Sequence, residues 1–225
     1  MPWRSRTIVQ LHGARRAGHP QLKRDPLGST PTFPVAAESL DAFPYLSVLL
    51  SIILGLGLTQ VLTAVGRLVR HRDRVRPDWL PLLWAAVLLV VYVQVWWSMF
   101  GLRYHRDWTF VAFLIVLAQT GTLYLMAAVV LPEQLDEAVD LRMYYERQHR
   151  WFFGFFLATL IISVIKDLVI NGRLPDALNL GFHIFLAAVC ISAVLIRRRR
   201  YQEVVGVICA AAMATYIGLL FTRLP

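Results

Sequence analysis

The chain has 225 residues, 57% of them hydrophobic and 16% charged, with a formal net charge of +9. That apolar fraction exceeds what a soluble domain needs, and the charges cluster between long uncharged runs, so most of the chain has lipid as its solvent. The basic excess sits in the N-terminal segment and in short loops, where membrane topology explains it, and no aromatic-basic platform is present; nucleic acid is excluded as the expected partner.

Residues 1–42 carry Arg4, Arg6, Arg15, Arg16, Lys23 and Arg24 with several prolines and no sustained apolar period. They read as a disordered basic tail, without the apolar segment of a secretory signal. An over-extended gene start is the competing reading, with Val35 as a GTG initiation codon just before the first span.

Residues 43–225 read as an all-α, polytopic transmembrane bundle of six spans. The spans are expected at about Phe43–Gly66, Trp79–Leu102, Trp108–Leu131, Trp151–Ile170, Ala177–Ile196 and Val204–Thr222. Each offers roughly the 20 apolar residues needed to cross about 30 Å. The fourth is the weakest, because its uncharged run stops at Lys166-Asp167. Loops one, three and five hold most of the arginines: Arg67, Arg70, Arg72, Arg74 and Arg76; Arg142, Arg147 and Arg150; then Arg197 to Arg200. The positive-inside rule places these three loops in the cytoplasm, facing anionic headgroups, and both termini outside. Crossing of Lys23 and Arg24 conflicts with that placement, and a shorter true start removes the conflict. Trp79, Trp84, Trp96, Trp97, Trp108 and Trp151 fall near span ends as interfacial belts.

The third loop, EQLDEAVDLRMYYERQHR, is the only sizeable one. Leu135, Val139 and Met143 recur every four residues, a helical stripe. It reads either as an interfacial helix or as an extension of spans three and four; its acidic start favours the extension.

The halves share boundary pieces in the same order: TAVGRL and VINGRL, RPDWLPLLW and LPDALNLGF, TLYLMAAVVLP and TYIGLLFTRLP. Shared boundary chemistry explains such pieces as well as duplication does. If duplicated, three spans per half would make a 3+3 inverted repeat, a frequent transporter design with a midplane site.

Within the spans, Ser51, Gly55, Thr59, Thr63 and Gly66 form a small-residue stripe, the pattern of a helix-packing seam, with Gln60 beside it. Gln94, Ser98 and Gly101 share one face of span two, and Gln119 and Thr120 lie near the centre of span three. Thr159, Ser163 and Asp167 share a face of span four, with Lys166 adjacent; Asn179 and His183 are four apart in span five. The polar candidates are therefore Thr59, Gln60, Gln94, Gln119, Ser163, Lys166, Asp167 and His183. They read as interhelical hydrogen-bonding groups or as the lining of a polar path. An Asp167–His183 proton relay is one form of the second reading; an Asp167 that simply ends span four at the outer interface is the first.

No metal is expected, because His183 has no second ligand at suitable spacing, and no cofactor or catalytic motif is present. Cys190 and Cys209 lie in apolar runs as inert thiols.

The stretch SVLLSIILGLGLTQVLTAVGRLVRHR, with the later QVWWS, resembles a family of small uncharacterised multi-pass bacterial membrane proteins. The likeness covers Pro44 to about Arg103. It implies a bacterial inner (plasma) membrane location and supplies no activity, cofactor or site. The leading functional expectation is a transporter- or channel-like protein for a small solute or ion, compatible with a homo-oligomer. The alternatives are a membrane scaffold or sensor acting on a partner protein through residues 132–150 and, third, an intramembrane enzyme acting on lipid.

Overall fold

The structure, a computed structural model, describes residues 42–103, 108–134 and 138–220. The expectations for the N-terminal tail, for Leu135 and for the end of span six at Thr222 fall outside these residues.

Six helices follow one another: α1 (Ala42–Arg70), α2 (Trp79–Leu102), α3 (Phe110–Val130), α4 (Leu141–Asn171), α5 (Ala177–Leu195) and α6 (Arg199–Leu220). All six are long and apolar enough to cross a membrane. The chain is a multi-pass integral membrane protein.

The helix ends follow from local chemistry. Asp78 Oδ1 accepts from the Leu80 N–H at 2.9 Å, which caps α2, and Pro81 stands in the first turn where no N–H is required. Thr109 caps α3 through the Ala112 N–H at 3.1 Å. Asp140 caps α4 by accepting from Arg142 and Met143, and Gly172, at φ 63°, ends it in the left-handed conformation that glycine adopts without strain.

The cap at Asp140 corrects two expectations. Span four starts well before Trp151, because charged residues leave lipid but do not stop a helix. The extension into the third loop belongs to α4 alone, since α3 ends at Val130. No helical stripe joins Val139 to Met143: Val139 belongs to an extended two-residue segment, β2 (Val139–Asp140), paired in parallel with β1 (Val75–Arg76). That pair ties loop one to loop three. Arg199 reaches Asp78 at 2.7 Å, which ties the α5–α6 turn to the same place. The three arginine-rich loops therefore share one end of the bundle, and the helices alternate in direction.

α1 packs on α2 and α3, α4 on α3 and α5, and α6 on α2 and α5. The buried face of α1 is Leu50, Leu54, Gly57, Val61, Ala64 and Leu68, with spacings of four and three residues. This corrects the expected seam. Ser51, Gly55, Thr59, Thr63 and Gly66 are all exposed, and a Cβ at Gly55 or Gly66 would meet nothing. The glycine that permits close approach is Gly57, whose missing Cβ is where the Tyr92 ring sits. The small-residue stripe looks outward.

Trp84 is also displaced from its expected place. It is 1% exposed and stands among Phe152, Phe153 and Phe156 of α4, with ring centroids 5.1–6.4 Å away. Edge-to-face contacts of this kind lock α2 to α4. Trp79, Trp96 and Trp151 remain exposed by 46%, 46% and 64%, as an interfacial belt requires.

The packing differs between the halves. α1 lies along α3, whereas α4 and α6 have no comparable contact among the described residues. Asp78 caps its helix and binds an arginine, while Asp176, its counterpart in the sequence likeness, makes no side-chain cap bond. The 3+3 repeat rests on sequence alone.

Candidate functional site

A cavity of about 300 Å³ lies inside the ring formed by α2 to α6. Its lining runs from Val91, Gln119, Phe156 and Leu186 at mid-bundle to Gly101, Leu102 and Asn171, which stand at the helix ends opposite the arginine-rich loops. The volume is at the lower end of the range for small-molecule sites.

Six of the eight polar candidates meet here. Gln94 comes from α2, Gln119 from α3, Ser163, Lys166 and Asp167 from α4, and His183 from α5. Ser98, Thr159, Asn171, Asn179 and Tyr216 add further polar groups. Thr59 and Gln60 do not join them. They lie on α1, outside the ring, with Thr59 exposed and Gln60 half-buried.

Part of the polar lining is satisfied within the bundle. The Thr159 hydroxyl lies 2.9 Å from both Thr122 Oγ1 and the Phe155 carbonyl, joining α4 to α3. The Ser98 hydroxyl donates to the Val95 carbonyl at 2.8 Å. His183 Nδ1 is 2.9 Å from the Asn179 carbonyl. A carbonyl only accepts, so Nδ1 carries the proton in this contact. Tyr216 donates to Asn179 Oδ1 at 3.0 Å and its ring packs against Phe182, fixing α6 to α5.

The other part is open. Among the described residues, Gln94, Ser163, Lys166 and Asp167, and the Gln119 side-chain amide, form no hydrogen bond or salt bridge. Lys166 and Asp167 are half-buried and act on each other only through space. Asp167 does not end its helix, which runs on to Asn171. Asp167 and His183 line the same cavity without a hydrogen bond between them. No group of three or more His, Cys, Asp or Glu residues suited to a metal ion occurs among the described residues.

At the arginine-rich end the bundle is closed by contacts that the sequence did not single out. Arg199 donates to Asp78 at 2.7 Å and to Glu203 at 2.8 Å. Gln202 is buried; its amide donates to the Ala193 and Ile196 carbonyls at 2.8 and 2.6 Å, and its oxygen accepts from Tyr145 at 2.9 Å. One side chain thereby satisfies carbonyls left over at the C-terminus of α5 and joins α4 to α6. The available signal was Arg199 four residues before Glu203, hidden in a run of arginines. Replacing Gln202 by methionine keeps the volume but strands those partners, and is expected to destabilise the protein by about 2 kcal/mol. Thermal unfolding in detergent checks this, with Gln148→Met, half-buried on α4, as the control.

Comparison with protein-family models, with curated proteins and with solved structures gives no match for this chain.

Proposed function

We propose that this chain is a transporter for a small polar solute in a bacterial plasma membrane, with its arginine-rich end in the cytoplasm. The observation that carries the reading is the cavity, where unpaired Lys166 and Asp167 stand with open amides inside a membrane bundle. Ionisable groups within a bilayer are costly, so bundles place them where they meet a solute, an ion or water. Exposed Arg70, Arg72, Arg142, Arg147, Arg197 and Arg198 at the closed end suit an anionic cytoplasmic leaflet.

The test is uptake into proteoliposomes from a panel of amino acids, sugars, monocarboxylates, amines and inorganic ions. At least one class should accumulate. Lys166→Gln and Asp167→Asn should each slow its uptake tenfold or more, whereas Thr59→Val and Gln60→Leu, outside the cavity, should leave it unchanged. No flux of any class, with one stoichiometric partner protein co-purifying through residues 132–150, would replace this reading with that of a membrane scaffold or sensor.

A further inference from the structure

Opposite charges side by side restrict what the cavity can hold. Lys166 and Asp167 are neighbours on α4, project about 100° apart, and both line the cavity without being close enough to form a salt bridge. A charge inside a bundle needs a compensating charge or several hydrogen bonds. A solute with one charge compensates one of these residues and leaves the other exposed to a like or absent partner. An uncharged solute compensates neither. A solute carrying both a carboxylate and an ammonium group compensates both at once, with the carboxylate toward Lys166 and the ammonium toward Asp167.

The remainder of the lining describes the rest of the solute. Val91, Phe156, Leu160, Leu186 and Met213 form the apolar part of the wall and carry no further charge. His183 holds its Nδ1 proton against the Asn179 carbonyl. Gln94, Gln119 and Ser163 supply uncommitted donors and acceptors for the polar head. A second charge on the solute's body would have no partner in this wall. On the reading of the cavity as a solute site, we infer that its ligand is a small zwitterion with an apolar body, of the chemical class of the neutral α-amino acids, held between Lys166 and Asp167.

The experiment is equilibrium binding by calorimetry to the full chain in nanodiscs, using three probes that differ only in charge. Leucine has both groups, 3-methylbutylamine lacks the carboxylate, and 4-methylpentanoate lacks the ammonium. Leucine should bind, and each one-charge analogue should bind at least tenfold more weakly. Lys166→Gln should remove the preference for leucine over the amine, and Asp167→Asn the preference over the carboxylate. The probe series on the unaltered protein needs no variant to fold. An analogue binding as tightly as leucine, leucine failing to bind, or a ranking untouched by both substitutions would overturn the inference. Two of the outcomes separate it from the broader reading. A sugar or inorganic ion that binds, and loses binding on Lys166→Gln or Asp167→Asn, would overturn the zwitterion and keep the solute cavity. Absence of binding and flux for every class would overturn both.

Discussion

Replacing Asp78 by alanine is expected to cost about 3 kcal/mol of stability, the larger part of it from the stranded arginine. Asp78 Oδ1 serves two donors at once, the Leu80 N–H at the start of α2 and the Arg199 guanidinium at the start of α6. The pair is mostly shielded, with side-chain exposures of 19% for Arg199 and 9% for Asp78. Removing one partner of a shielded pair leaves an uncompensated charge, a loss of about 3–5 kcal/mol, and the lost cap adds about 1 kcal/mol. Glu203 continues to hold Arg199 and keeps the total toward the lower figure. Asp78→Asn, which retains a capping oxygen, should lie between alanine and the unaltered protein. Asp73→Ala provides the contrast: its contact with Arg74 is 4.0 Å long between side chains exposed by 75% and 59%, and its removal should change stability by less than about 0.5 kcal/mol. Thermal unfolding of the three variants in one detergent gives the ranking. Equal effects of Asp73→Ala and Asp78→Ala would show that the Arg199 contact does not hold the closed end.

Gly57→Leu should be at least as damaging, and Gly55→Leu nearly silent, although the two glycines are two positions apart on the same helix. A Cβ at position 57 would overlap the Tyr92 phenol, and Tyr92 is 3% exposed in the core. Either the ring must move or α1 must part from α2. Overpacking typically costs about 1–3 kcal/mol for small additions, which sets the expectation for Gly57→Ala and a larger loss for leucine. Gly55 looks outward and has open space around it. The fraction of each variant that elutes as a single species after heating measures the difference. Tyr92→Ala should restore part of the stability lost in Gly57→Ala, because the two changes act on one contact. If Gly55→Leu proved the worse of the two, the outward stripe would be a packing surface after all.

These glycines also show where the sequence stopped being legible. Hydropathy located all six helices, and the starts of α2 at Trp79 and α5 at Ala177 were placed to the residue. Hydropathy did not orient α1. A protein-facing surface and a lipid-facing surface are both apolar, so a stripe of small residues shows that a face exists without saying which way it turns. The direction depended on Leu50, Leu54, Val61 and Leu68 packing inward, which is a property of the neighbours. The polar candidates on α2 to α5 were legible for the opposite reason. Lipid cannot satisfy an amide or a charge, so Gln94, Gln119, Lys166, Asp167 and His183 had to look inward, and they converge on one cavity. The Asp78–Arg199 and Tyr145–Gln202 contacts were hidden because polar residues at a charged helix end have water as an alternative partner, and only the fold shows that these do not use it.

The length of α4 has a mechanical consequence. Its 31 residues contain no proline and span about 46 Å, well beyond the roughly 30 Å of the hydrocarbon layer. Near one end Tyr145 grips Gln202; about 32 Å along the same rod, Lys166 and Asp167 face the cavity. A push applied to the projecting first turns on the arginine-rich side is therefore delivered to the charged pair without passing through a loop. Between these two points lie the Trp84–phenylalanine contacts that hold the rod against α2.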